Sequence, residues 1–267
     1  MPSILTDDNV DLFYRDWGTG RPVVFLHSLL MDSTMWQHQL LHLAERGHRA
    51  IAFDRRGHGR SDDPGRGYHY DRLADDLATI MDALDLTEAT LVGHCMGGGE
   101  IVRYLTRHGA GRVSQIALVG STVPTLDVDP KAARDLLNEL RVGYGRWVSE
   151  NAALSFGSKP PASDIPSLEK ERTIRDWMAV SLQAAVDCQQ ATFDEDFAQE
   201  LTMIDVPALV VHGDDDTVAP LDMCGRRSAE LLRDAELLIY PNGSHMIHLS
   251  HRQQLNADLL SFVGADR

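Results

Sequence analysis

The sequence predicts a doubly wound α/β fold, and three observations predict it. Short apolar segments that read as strands alternate with amphipathic segments that read as helices. The strand segments are almost continuously apolar, which suits a parallel sheet buried on both faces. The length, 267 residues, fits one large α/β domain or a domain carrying an insert.

The elements follow in order. Ile4-Leu5-Thr6 and Val10-Asp11-Leu12-Phe13-Tyr14 flank Asp7-Asp8-Asn9, a turn-favouring cluster, and read as a hairpin. Pro22-Val23-Val24-Phe25-Leu26-His27, Ala50-Ile51-Ala52-Phe53, Ala89-Thr90-Leu91-Val92 and Ile116-Ala117-Leu118-Val119 are the next four strands. Ala208-Leu209-Val210-Val211 and Leu237-Leu238-Ile239-Tyr240 complete eight. Helical periodicity covers Met35–Glu45, Leu73–Leu84 and Gly97–Arg107, each after a strand. From about Thr122 to Glu200 no strand is predicted. Helical patterns are broken there by prolines such as Pro160-Pro161, and Trp147, Phe156 and Trp177 are scattered among them. The stretch is too long for a simple connection. The expected organisation is a core over 1–121, a helical cap over 122–200 inserted after the sixth strand, and the rest of the core over 201–267.

Composition excludes several classes. A formal charge of −15 argues against nucleic acid and anionic membranes as partners. No apolar run reaches the roughly 18 residues of a membrane helix. The N-terminus lacks the basic and apolar pattern of a secretory signal, so cytoplasmic residence is the expectation. Cys95, Cys188 and Cys224 fit neither a disulfide framework nor a zinc motif. Asp214-Asp215-Asp216 lacks a complementary ligand set for a cation, and Gly97-Gly98-Gly99 lacks the Lys-Ser/Thr ending of a phosphate loop. No metal or cofactor is expected.

The chemistry centres on Gly93-His94-Cys95-Met96-Gly97, at the end of the apolar run Thr90-Leu91-Val92. This is the pattern of a nucleophile elbow, with a thiol where a hydroxyl is expected. Its glycines allow close backbone approach around a strained strand-to-helix turn. The alternative is a buried cysteine that happens to lie between glycines. A nucleophile needs a base, and the base an orienting acid; in such folds the acid precedes the histidine. Asp216, ending Val210-Val211-His212-Gly213-Asp214-Asp215-Asp216, is the chosen acid, but spacing does not separate it from Asp214 and Asp215, and all three suit a turn. His245, in the Gly-containing loop Pro241–His245, is the candidate base; His248 and His251 read as solvent-facing helix residues. Oxyanion donors, each worth roughly 3 kcal/mol, are expected from the amides of Met96 and Leu29. Ser28, Leu30, Trp147 and Trp177 are the candidate pocket residues.

These residues together resemble the α/β-hydrolase superfamily, and within it the cofactor-free bacterial haloperoxidases and aryl esterases. Phe53–Ser61, Gly93–Gly98, Ile204–Pro207, His212–Pro220 and Leu255–Leu260 carry the resemblance, with the spacing from His27 to Trp36. It spans nearly the whole chain apart from the middle of the cap. It implies an eight-stranded, mostly parallel sheet flanked by helices. It selects Asp216 as the acid, implies His245 as the base, and gives Arg55–Ser61 a structural role near the site. Two departures stand out: Cys95 replaces the family's serine, and Ser28-Leu29-Leu30 replaces Gly-Trp-Pro. They leave halogenation and peracid chemistry outside what the resemblance implies.

The leading expectation is a hydrolase of carboxylic esters, lactones or thioesters that works through a thioester on Cys95. An acyltransferase would pass the same acyl group to an amine, thiol or alcohol. A lyase, cyclase or binding protein on the same fold would leave Cys95 as packing. The expected partner is a small acyl substrate, joined by an acceptor in the transfer reading; a homo-oligomer is compatible with the sequence.

Overall fold

Eight strands form a single sheet in the computed structural model, which describes residues 1–264. They are β1 (Ser3–Leu5), β2 (Asp11–Trp17), β3 (Pro22–Leu26), β4 (Arg49–Phe53), β5 (Ala89–His94), β6 (Val113–Val119), β7 (Ala208–Gly213) and β8 (Ala235–Tyr240). Their spatial order is β1-β2-β4-β3-β5-β6-β7-β8. β2 pairs antiparallel with β1 and β4, and all other neighbours are parallel. Val23, Val24, Phe25 and Leu26 of β3 are all buried, as is the whole of β5. That is why these strands read as unbroken apolar runs.

The helices are α1 (Gln37–Ala44), α2 (Tyr70–Ala83), α3 (Met96–His108), α4 (Pro130–Val142), α5 (Tyr144–Phe156), α6 (Ser167–Ala179), α7 (Leu182–Asp194), α8 (Ala198–Leu201), α9 (Arg227–Leu231), α10 (Ile247–Ser250) and α11 (Arg252–Val263). Caps define several starts. The Asp129 carboxylate accepts from the Lys131 and Ala132 amides, and Pro130 opens α4 with the φ a helix needs. Ser181 caps α7 in the same way.

The structure moves some expected boundaries. α2 begins at Tyr70 rather than Leu73, because the His69 ring accepts from the Arg72 amide and starts the helix there. The turn before α1 is a 3-10 turn over Ser33–Trp36, capped by Asp32. β6 starts at Val113, three residues before its apolar run. The polar Gln115 is buried there because its amide donates to Thr90 Oγ1 at 3.1 Å and the Phe262 carbonyl at 3.2 Å.

Between β6 and β7 the described residues contain no strand, only α4–α8 and a 3-10 turn over Ala162–Asp164. No helix among them is long and apolar enough to cross a membrane. Because β3 to β8 run parallel, their carboxyl ends share one edge, where ligands gather in open α/β sheets. The loops after β3, β5, β6, β7 and β8 all leave from that edge.

Candidate active site

Cys95 is the only residue between β5 and α3. Its φ is 55° and its ψ −122°, a region that L residues rarely occupy. Hydrogen bonds hold it there. Its N–H donates to the Val119 carbonyl at 3.3 Å, and its carbonyl accepts from the Gly98 amide at 3.1 Å and the Ser121 hydroxyl at 3.2 Å. The flanking glycines are required by close approach. A Cβ on Gly93 would lie 2.5 Å from the Gly97 carbonyl oxygen, and one on Gly97 would lie 2.8 Å from that of Leu26. Gly93→Ala is therefore expected to push β5 and α3 apart and to cost about 1–3 kcal/mol of stability, the usual range for overpacking. Urea denaturation checks this; an unchanged midpoint would refute the close-packing argument.

The loops after β7 and β8 bring an acid to a histidine. Asp216 Oδ2 accepts from His245 Nδ1 at 2.8 Å, while Asp216 Oδ1 accepts from the amides of Val218 at 2.9 Å and Ala219 at 2.8 Å. The two rival acids are occupied elsewhere: Asp214 accepts from the Asn242 amide at 2.6 Å, and Asp215 pairs with Lys159. Only Asp216 of the three meets His245. With Nδ1 engaged, His245 lines one cavity with Cys95, and each favours the charged form of the other.

The charges of this group support one another. Burial opposes ionisation of Cys95, but the His245 charge, the hydrogen bond from His245, the Ser28 hydroxyl and the Leu29 amide hold its thiol below the ordinary value. Burial also opposes a charged His245, yet Asp216 and the thiolate raise its pKa to about 10. Asp216 is likewise buried, and His245 holds its carboxyl below the ordinary value. These interactions favour the charged forms of Asp216 and His245 and ease ionisation of the Cys95 thiol.

Leu29 lines the same cavity as Cys95, and its amide lowers the pKa of the thiol. Met96 opens α3, so its N–H is among those that intrahelical bonding leaves free, at the positive end of the helix. The Met96 side chain is buried in the core and that of Leu29 packs against it. Ser28, Leu30, Trp147 and Trp177 all line a cavity of about 60 Å³ that Cys95 and His245 also line. Trp177 Nε1 donates to the Met31 sulfur at 2.8 Å and fixes one wall.

Several residues have roles that sequence reasoning does not supply. Ser28, expected only in the pocket, offers its hydroxyl to the thiol. Asn151 and Gln189 add polar groups to the cavity; nothing in the sequence marks them. His94 Nε2 bonds the His245 carbonyl at 2.9 Å, tying the base's loop to the elbow strand. One expectation is corrected: His248 does not face solvent. It is 1% exposed, with its ring centroid 5.4 Å from that of His94 and 6.1 Å from that of Trp36. Burial lowers its pKa to about 3, so it stays neutral. His251 is half-buried, with Nε2 3.2 Å from the Pro241 carbonyl oxygen. Among the described residues no cluster of three or more His, Cys, Asp or Glu side chains could hold a metal ion.

Comparison with known proteins adds family information. The model of the α/β hydrolase fold family matches residues 21–252. The chain is 39% identical over 273 residues to the non-heme chloroperoxidase CPO-A1 of Kitasatospora aureofaciens, covering 98% of this chain and 99% of that one. It is 34% identical to the bifunctional esterase/perhydrolase DCH of Acinetobacter calcoaceticus, covering 98% and 99% respectively. Among solved structures, the bromoperoxidase from Bacillus anthracis superposes with a TM-score of 0.95 at 27% identity over 99% of both chains. The esterase EaEST from Exiguobacterium antarcticum gives 0.92 at 27% identity, over 98% of this chain and 99% of that one.

Proposed function

The chain belongs to the α/β-hydrolase family and is an enzyme of its esterase and haloperoxidase type; from that premise we propose that it hydrolyses carboxylic esters, lactones or thioesters through a thioester on Cys95. The observation that carries this reading is the 2.8 Å hydrogen bond between Asp216 and His245, with His245 lining one cavity with the Cys95 thiol and lowering its pKa.

The Cys95 thiolate attacks the substrate carbonyl carbon, and the carbonyl oxygen takes up the negative charge. The N–H groups of Leu29 and Met96 hold that oxyanion, each donor contributing about 3 kcal/mol. As the carbon–oxygen bond to the leaving group breaks, His245 gives the leaving oxygen its proton and becomes neutral. A water molecule then attacks the thioester and gives its proton to His245. The carbon–sulfur bond breaks, the acid leaves, and the thiolate–imidazolium pair is restored. Asp216 holds the ring in the tautomer and orientation both steps require.

The cap, over 122–200, is the proposed source of specificity. A second chamber of about 350 Å³ shares Trp147, Asn151, Gln189 and Val218 with the cavity at Cys95, and Leu126, Leu154 and Phe193 contribute apolar wall. A substrate with a small group at Cys95 and a larger apolar group beside it suits this pair of spaces. The chamber also favours a second reading, acyl transfer, because it has room for an apolar amine, thiol or alcohol that would reach the thioester in place of water.

The test mixes the protein with p-nitrophenyl acetate and follows phenol release and intact mass. Sustained release without an accumulating adduct is the expected result. A single burst, with an acetyl group retained on Cys95, would favour transfer, and an added amine or thiol should then restore turnover. Turnover that survives loss of the thiol would mean ester hydrolysis without a Cys95 thioester, whereas neither phenol release nor an adduct would leave a different acyl donor or non-acyl chemistry.

A further inference from the structure

Arg55 and Glu100 form an ion pair in which both side chains are 1% exposed, and the thioester mechanism uses neither. Glu100 lies one turn into α3, the helix that Met96 opens. Arg55 follows β4 and reaches across to the loop after β3. Arg55 Nε donates to Glu100 Oε1 at 2.7 Å, and Nη2 bonds the same oxygen. Nη2 also donates to the His27 carbonyl at 2.7 Å, and Nη1 to the Ser28 carbonyl at 3.4 Å.

The backbone of Arg55 completes the arrangement. Its N–H donates to His27 Nε2 at 2.8 Å, so that nitrogen is the acceptor and the ring proton sits on Nδ1. His27 Nδ1 then donates to the Ser28 carbonyl at 2.8 Å. The Met31 amide reaches the same carbonyl at 3.2 Å and closes a turn in which Leu30 has a φ of 61°. A turn of this kind usually places glycine at that position, so the leucine conformation has to be held by its surroundings.

The Ser28 carbonyl and the Leu29 N–H belong to one planar trans peptide and point in opposite directions. Fixing the carbonyl toward Arg55 and His27 therefore fixes the N–H on the side of Cys95. Resting on the thioester reading above, we propose that the Arg55–Glu100 pair is the positioning device of the oxyanion site. It holds the Ser28–Leu29 peptide with its N–H facing Cys95 and ties that peptide to the helix that supplies the Met96 N–H. A fully buried ion pair adds little stability over an apolar pair of similar size. Its distinct contribution here is geometric: a forked cation that bonds a helix residue and two loop carbonyls together.

Two variants test this in the full chain. Arg55→Met/Glu100→Leu removes both charges and keeps apolar volume. Arg55→Lys keeps the charge but loses the fork. Three readings are taken on each: kcat and KM for p-nitrophenyl acetate, inhibition by butyraldehyde, and alkylation of Cys95 by iodoacetamide. The aldehyde adds to the thiol and places its oxygen in the oxyanion site, whereas alkylation needs the thiolate and no oxyanion donor. For the double variant, kcat is expected to fall roughly 10- to 100-fold, less than loss of a whole donor or close to it. Butyraldehyde affinity falls in parallel, KM stays within about twofold, and alkylation falls less than kcat, because His245, the larger influence on the thiol, stays in place when the Leu29 N–H turns away. Arg55→Lys follows the same pattern with a drop of about threefold to tenfold. Folded variants with wild-type kcat and aldehyde affinity would overturn the proposal, as would alkylation falling as far as kcat, which marks general damage. If the double variant does not fold, Arg55→Lys decides by the same criteria. A wild-type protein that neither releases phenol nor takes up an acetyl group would overturn the thioester reading and this proposal with it; an active wild type with unaffected variants would overturn this proposal alone.

Discussion

Cys95→Ala takes up no acetyl mass from p-nitrophenyl acetate, and its turnover falls on the order of 10⁶-fold, the loss seen when a nucleophile that acts as part of a unit is removed. The fold survives the change. Cys95 is buried and its side chain is small, so the lost packing costs about 1 kcal/mol. Alanine at a φ of 55° carries much the same backbone strain as cysteine. A large kinetic effect on a small thermodynamic one separates a nucleophile from a packing residue. The opposite pattern, turnover retained with a modest drop in melting temperature, would remove Cys95 from the chemistry and with it the thioester. Cys95→Ser sharpens the comparison. A hydroxyl does not ionise beside His245, so the preformed ion pair is lost and the histidine returns to acting as a general base. The acid limb of activity should then follow deprotonation of His245, whose pKa falls from about 10 because the thiolate no longer raises it.

What can be read from the sequence depends on how local the determining physics is. The strand interiors are legible because both faces of the sheet are buried, so a run such as Val23-Val24-Phe25-Leu26 leaves no ambiguity of side. The elbow is legible because Gly93 and Gly97 are placed by backbone contacts within a few residues of Cys95 and with the adjacent strand. The start of β6 is not, because Gln115 is made tolerable in the interior by Thr90 and Phe262, far away in the chain. Choosing among Asp214, Asp215 and Asp216 is also a tertiary matter. Asn242 takes the first and Lys159 the second, and no spacing rule encodes those partners. His248 looks like a solvent-facing helix residue until Trp36 and His94 close over it. Arg55 gives the same lesson for the oxyanion loop: its sequence context marks a structural loop, while its fork spans Glu100 of α3 and His27 and Ser28 of the loop after β3, two separate segments.

Asp216→Asn is expected to lower kcat by about 10⁴-fold, the scale set by replacing the orienting acid of a triad. Its effect on pH dependence is the more diagnostic. In the native protein the thiol titrates below its ordinary value, so alkylation of Cys95 should begin at a lower pH than for an ordinary thiol. Acyl transfer should fall on the acid side as the thiol takes up a proton. On the basic side it should fall near pH 10, where His245 loses the proton it gives to the leaving group. Asparagine carries no charge, so it removes the largest interaction that keeps His245 protonated against its burial. The imidazolium then becomes less stable, the thiolate loses its counter-charge, and the thiol returns toward its ordinary value of about 8.5. The acid limb of alkylation therefore moves up in pH and the basic limb of turnover moves down. The bell of activity narrows from both sides as its height falls. His248 cannot take over as base, because it lies buried and neutral behind His94. Iodoacetamide alkylation followed by intact mass from pH 5 to about 10 measures the first shift. If the variant and the native protein were alkylated with the same pH profile, Asp216 would hold His245 in place without setting the charge state of the pair. The thiolate would then owe its stability to His245, the Ser28 hydroxyl and the Leu29 amide without help from Asp216.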